Sequence, residues 1–323
     1  ASMNEKIREV AAEVSNVYYV IGQDCQLLGV SAPDCYHWSY DGMKKITRRM
    51  LNIVEYLFDQ SFDTDAQNLI NAASYTNDAI KEALNVSFRD LKGNNAYEYA
   101  DAMYLQLTDI AGNNTASLNQ MKYNAVNPVD SNGAYRLTYP NGATGDFSGF
   151  QLDGLTQYAI TYFKQDGLNG DDFSQAAYNT TDNNNLSAEM GSYNGVGYAM
   201  ICSADATHTQ NYYNDGGAAS VVVPNSLGFK IMTTKKRVYY VNGAIVQNLN
   251  SAGGGVGVGD YIILGGFMQA GVVYWHSSKK TVFNFIGRDI PPEKVAVIFT
   301  IINTLQGSIE TALGLAPGTR KLY

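Results

Sequence analysis

The sequence predicts a mainly β protein, an antiparallel β-sandwich with a helical segment before it and a helix after it. Three observations carry this. Asn242-Gly243 separates two β-rich runs, 237–241 and 244–248, and Asn-Gly between such runs is the strongest short-range hairpin signal because both turn residues take positive φ. From residue 147 onward, short runs of β-formers recur at close spacing, broken by Asn, Gly and Asp clusters, as in a sandwich. Behind Pro291-Pro292, Val295, Ile298, Phe299, Ile302 and Leu305 recur at helical spacing, with proline pre-set for the first turn.

Composition bounds the rest. The chain has 323 residues, 31 of them glycine and 24 tyrosine, with 16% charged residues; this is the profile of a β-rich, loop-rich surface protein. A formal net charge of −8 argues against nucleic acid and anionic membranes as partners. No run of about 18 apolar residues is present, so no membrane insertion is expected. Ala1-Ser2 ahead of Met3 reads as an added remnant, and the charged stretch after Met3 is not a signal peptide. Cys25, Cys35 and Cys202 are odd in number, which points to free thiols rather than a disulfide framework.

Taken in order, residues 3–70 form a helical segment for oligomerisation or attachment. Ile7, Val10, Val14, Val17 and Ile21 lie at three- and four-residue steps, a short heptad-like stripe that either packs on its own chain or forms an oligomer seam, a trimer being one form. A second helix spans 41–58, with Lys44, Lys45, Arg48 and Arg49 on a solvated face. Residues 62–70 read as a loop or short helix. A third helix covers 74–91, with Thr76 as its N-cap and Ile80, Ala83, Leu84 and Phe88 on its buried face. The sandwich is expected over 71–310 and a tail over 311–323, flexible from Gly314 onward. Its strands are predicted at 102–107, 116–123, 135–139, 150–155, 158–163, 175–178, 186–193, 198–203, 219–223, 229–233, 261–264 and 281–286. Long polar turns are predicted at 165–172, 179–185, 207–217 and 253–260.

The order of elements between 227 and 306 resembles a known family. Val241-Asn242-Gly243 in a hairpin, Ile263-Leu264-Gly265 ending a strand, Phe283-x-x-Ile286-Gly287 ending another, and a proline-started helix follow one another as in the concanavalin A-like (laminin-G/pentraxin-type) jelly-roll module of bacteriophage tail-fibre and head-fibre proteins. The resemblance extends upstream to residues 158–163. It implies a viral structural protein on the particle surface, a fibre-type adhesin whose partners are a host cell-surface glycan or receptor and other virion proteins. The missing signal peptide fits a virion location, because a virion protein is assembled in the cytoplasm. The alternatives are a purely architectural virion protein without glycan binding, and a bacterial glycan-binding surface protein.

An enzyme is not expected. The sequence lacks a G-x-S-x-G elbow, an H-E-x-x-H motif and a P-loop. Glycosidases need two carboxylates flanking the sugar bond, and between residues 99 and 309 the only glutamates are Glu189 and Glu293. Glu98 and Asp101 would face opposite sides of a strand. Glycan binding needs aromatic faces to stack on sugar C–H surfaces and carboxamides to bond the hydroxyls. His208, Gln210, Asn211, Tyr212, Tyr213, Asn214 and Asp215 supply both in one polar loop, with Tyr193 and Trp275 as further aromatics; the plainer reading is that the tyrosines pack on strands and Trp275 is core. No cofactor is required. Asp166, Asn169, Asp171 and Asp172 offer hard oxygen ligands for calcium, although Asp, Asn and Gly are also ordinary turn residues.

Overall fold

The computed structural model describes residues 62–164, 172–182, 186–193, 198–205, 208–212, 218–222, 227–234, 238–248 and 260–321. The chain divides into two compact units, Ala1–Phe62 and Asp63–Tyr323. The expected helices at 4–21 and 41–58, the basic cluster Lys44–Arg49, Cys25, Cys35 and the glycine run 253–259 lie outside the described residues.

The second unit is a β-sandwich with helices on one side. Helices α1 (Thr64–Ala73) and α2 (Asp78–Gly93) come first. β1 (Ala100–Tyr104) and helix α3 (Asn114–Met121) follow. Then come β2 (Thr144–Asp146), β3 (Gly149–Gln151), β4 (Ala159–Lys164), β5 (Ser174–Asn179), β6 (Ser187–Tyr193), β7 (Tyr198–Asp205), β8 (His208–Tyr212) and β9 (Ala218–Val222). The chain closes with β10 (Gly228–Thr233), β11 (Val238–Val241), β12 (Ala244–Asn248), β13 (Tyr261–Leu264), β14 (Phe267–Gln269), β15 (Val272–Tyr274), β16 (Lys280–Gly287) and helix α4 (Pro292–Ala312).

Two eight-stranded sheets result. Sheet A runs β12-β11-β10-β5-β16-β3-β2, with β1 also on β16. Sheet B runs β15-β14-β6-β7-β8-β9, with β13 joining β4 to β6. The pairings are antiparallel except β14 on β6. Between the sheets lies an apolar core that includes Phe150, Phe163, Phe173, Met190, Ile201, Met232, Ile262, Leu264 and Ile286. Side chains alternate across a strand, so Phe229, Tyr178 and Phe283 point the other way, towards α4. Phe299 stacks on Phe229 at 5.9 Å, and the Tyr178 hydroxyl donates to Asn303 Oδ1 at 2.7 Å. α4 is long and apolar enough by length and composition to cross a membrane, contrary to the reading of the sequence. Here it is the core helix over sheet A, burying Val295, Ile298, Ile302, Leu305 and Ile309.

The predicted hairpin is present. Asn242 (φ 51°) and Gly243 (φ 80°) turn β11 into β12, and Asn242 Oδ1 accepts from the Phe229 N–H at 2.9 Å. Other expectations need correction. Residues 116–123 are not a strand: the Asn113 side chain accepts from the Ala116 N–H at 3.1 Å and caps α3, so the polar Asn-Asn-Thr group starts a helix instead of closing a turn. Residues 135–139 contribute only an isolated bridge, Thr138 to Ile160. The strand expected at 150–155 ends at Gln151, because Asp153 Oδ1 gathers the N–H groups of Leu155, Thr156 and Gln157 into a turn. Asn77 caps α2 in place of Thr76, whose N–H and hydroxyl donate to Asp109 Oδ2. Glu98 lies in a 3₁₀ turn, Tyr97–Tyr99, not on a strand. Residues 314–321 were expected to be flexible, yet Arg320 is fully buried against α4 and the end of β1.

Gly243 tests the hairpin against the helix layer. A Cβ there would need positive φ and would approach the Phe299 ring at 3.1 Å. Gly243→Ala should lower unfolding stability by about 1–2 kcal/mol, read as a lower urea midpoint at unchanged slope.

Candidate functional site

Two side-chain clusters stand out on sheet B, one on each face. The inner cluster is ionic. Glu189 sits at a β-bulge of β6, where Ala188 pairs with Cys202 and Met190 with Ile201, and the extra residue turns into the core. Glu189 Oε1 accepts from Lys230 Nζ at 2.9 Å and from Lys279 Nζ at 2.6 Å. Lys279 Nζ and Lys230 Nζ also donate to the Ser203 hydroxyl, which itself donates to Glu189 Oε1 at 2.7 Å. Lys230 belongs to sheet A, Lys279 leads into β16, and Glu189 and Ser203 belong to sheet B, so the group clasps the two sheets together. All four residues are buried. Burial alone would raise the Glu189 pKa, but the two lysines override it and hold the carboxyl at about 2. Burial pushes Lys279 down to about 8 against the pull of Glu189, and Lys230 adds to the push.

The outer cluster is aromatic. Ala188, Met200, Cys202 and Phe267 form a small buried patch on the face of sheet B away from the main core, and Tyr193 and Trp275 pack over it. Tyr274 stacks on Phe267 at 5.5 Å with 24° between the rings, and Trp275 meets Phe267 edge-on at 5.1 Å. Tyr274 remains 43% exposed and its neighbour Val272 52%. Trp275 has φ 52°, a left-handed backbone that is an outlier for a bulky residue. The tight β14–β15 hairpin, turned by Ala270-Gly271 at positive φ, sets Tyr274 opposite Phe267.

The residues predicted to bind a ligand divide accordingly. Tyr193 and Trp275, 82 positions apart in sequence, come together on this patch. His208, Gln210, Asn211 and Tyr212 are not in a loop: they form β8, paired on both sides by β7 and β9. The two ladders satisfy a polar backbone that sequence alone reads as a turn. Their register sets Tyr212 opposite Met200 and Gln210 opposite Cys202. Tyr213, Asn214 and Asp215 lie outside the described residues, as do Asp166, Asn169 and Asp171. Asp172 Oδ1 accepts from the Asp289 N–H at 3.0 Å, and among the described residues no group of three His, Cys, Asp or Glu side chains converges as a metal site. Cys202 is a buried cysteine that is not in a disulfide. Sequence reasoning missed the clasp, because lysines in alternating runs read as solvated positions. It also missed the packing of Phe267 on Tyr274, for which Ala-Gly gives no hairpin signal.

No protein-family model and no curated protein matches this chain. Solved structures do show similarity. A Trypanosoma rangeli sialidase in complex with sialic acid matches over 61% of this chain and 32% of its own, at 14% identity and a TM-score of 0.41. The CBM40 of a Ruminococcus gnavus sialidase, bound to α2,3-sialyllactose, matches over 40% of this chain and 81% of its own, at 16% identity and a TM-score of 0.32. The binding domain of Paraclostridial Mosquitocidal Protein 1 matches over 63% and 52%, at 11% identity and a TM-score of 0.38. This chain therefore spans about a third of the trypanosomal sialidase it matches.

The clasp yields a pH prediction. The Glu189 pKa is lowered on folding, so the stability it contributes is present above its ordinary value of 4.5 and lost as pH falls from there to about 2. The Lys279 pKa is also lowered, so the unfolded chain holds that proton longer and stability rises between about pH 8 and 10.5. Glu189→Gln should cost about 3–5 kcal/mol at neutral pH, because two buried ammonium groups lose their counter-charge. Urea titrations across pH should show the gap between wild type and variant closing as pH falls from 4.5 to 2.

Proposed function

We propose that this protein is a non-enzymatic binding module that recognises a glycan through the aromatic patch on the outer face of sheet B. The observation that carries this is the packing of Tyr193 and Trp275 over the patch that contains Phe267, with Tyr274 stacked on Phe267 and half open to solvent. An aromatic ring fixed by a neighbour loses little freedom when a sugar stacks on it, which lowers the entropic cost of binding. β8 sets Gln210 and Tyr212 in register with residues of the same patch, and both residue types suit hydroxyl recognition. The affinity of one site is expected to be weak and to be raised by multivalent display.

Two features support a binding role over catalysis. Glu189 is held by two lysines in the buried core and kept ionised, whereas a glycosidase acid must be protonated and reach its substrate. Glu293 lies in the first turn of α4. The virion setting rests on the element order described above: Asn242-Gly243 in the hairpin, Gly265 after β13, Gly287 ending β16, then Pro292 opening α4. On this reading the protein is a fibre-type adhesin on the particle surface, forms a homo-oligomer and meets a host-surface glycan.

The test is a broad glycan array that includes α2,3-sialyllactose, probed with wild type and with Tyr274→Ala and Trp275→Ala, with and without a calcium chelator. Wild type should bind a related set of glycans saturably. Each variant should lose about 1–3 kcal/mol of binding, a rise in Kd of about five- to 150-fold, while far-UV circular dichroism stays unchanged. A flat array, or binding untouched by both substitutions, sinks this reading and favours an architectural role.

A further inference from the structure

We propose that residues 316–321 are an exchangeable strap, and that the slot holding Arg320 is a guanidinium receptor which the same strap of a second copy of this chain can fill. The slot is built from three separate elements. Arg320 Nε donates to Gln306 Oε1 on α4 at 2.8 Å, and Nη1 donates to the Phe147 carbonyl in the β2–β3 turn at 2.8 Å. Nη2 donates to the Gln106 carbonyl at 3.1 Å and the Leu105 carbonyl at 3.4 Å, just past β1. The backbone N–H groups of Arg320 and Lys321 donate to Glu310 Oε1 at 2.5 and 2.7 Å. The planar fork of arginine suits such a cage, and an ammonium group could not span it.

Two features make the strap releasable. The first is its shape. Arg320 is fully buried, but Gly314, Ala316, Pro317 and Gly318 before it are exposed. Gly314 (φ 64°) and Gly318 (φ 88°) turn the chain in open space, with nothing near the position a Cβ would take. One buried key on an exposed hinge can leave its slot without disturbing the sandwich. The second is charge. All four oxygens that receive the guanidinium are neutral, while the nearby carboxylates, Asp146 and Glu310, act on it from further away. A buried charge without a bonded counter-ion is held at a cost, which narrows the gap between docked and released states. Burial accordingly pushes the Arg320 pKa down to about 10. Exchange of an identical element between protomers is a low-cost route to assembly.

The experiment has two arms. In the first, a fluorescent peptide of residues 316–321 is titrated into the full chain carrying Arg320→Ala and into wild type. Saturable binding to the variant is expected, with binding to wild type about tenfold weaker or more, because the cis strap fills the slot there. The same peptide carrying Arg320→Lys should not bind. No binding to a folded Arg320→Ala protein, or equal binding to both proteins, overturns the proposal. The second arm uses wild type alone and decides the matter if the variant does not fold. Amide hydrogen exchange at Arg320 and Lys321 should run about a hundredfold or more faster than in β5 and β16, by local opening of the strap. Exchange in step with those strands would mean that the strap opens only on global unfolding, and the proposal falls.

Discussion

β5, β10 and β16 at the centre of sheet A are buried on both faces, so each strand needs an apolar cover on two sides. Sheet B supplies one cover and α4 the other, and the sequence of the strands records the division. Phe229, Tyr178 and Phe283 face the helix, while Met232, Ala177 and Ile286 face sheet B. A helix of 21 residues with so apolar a surface would be a liability in water, and a sheet with two apolar faces would aggregate. Each accounts for the other. The hairpin at Asn242-Gly243 belongs to the same arrangement, since its glycine lies against Phe299 and its asparagine caps the start of β10.

The clasp of Glu189, Lys230, Lys279 and Ser203 fits this frame as a register device. Apolar packing between two sheets is tolerant of sliding, because one methyl group substitutes for another. Ionic hydrogen bonds are not tolerant: a shift of one residue along β6 would carry the bulged carboxylate to the other face and strand two ammonium groups in the core. Buried ion pairs add little net stability, and their attested use is to fix one arrangement against its neighbours. The bulge at Glu189 is what turns the carboxylate inward between residues that otherwise alternate.

Most of the sandwich is legible in the sequence because its signals are local. Positive φ at Asn-Gly, proline at a helix start and period-two runs each depend on a few adjacent residues, and the strands around 159–164, 174–179, 187–193, 228–233 and 280–287 follow from them. The failures share a different cause. Asn113 caps a helix through the Ala116 N–H three residues on, and His208–Tyr212 is a central strand between β7 and β9, its neighbours in sequence; polar composition reads both stretches as turns. The candidate site is legible in part. Tyr193 and Trp275 are visible as aromatics, but Phe267 brings Tyr274 and Trp275 together through a hairpin at Ala270-Gly271 that carries no strong turn signal. Arg320 is the extreme case, since a charged residue eight positions after a helix reads as solvated and only the cage of carbonyls shows otherwise.

The same layering decides where recognition can occur. The outer face of sheet A is taken by α4, on which α2 packs in turn, so its side chains are committed to packing. Among the described residues no helix lies on the outer face of sheet B, and there the apolar patch is closed only by rings. Those rings are held by strain as well as by packing: Trp275 keeps a left-handed backbone that costs on the order of 1–3 kcal/mol, and the return is a tryptophan edge set against Phe267 with Tyr274 beside it. Strain of that size persists where the surroundings over-determine it. The backbone outlier at Trp275 and the exposed Tyr274 ring lie side by side on the same face of sheet B.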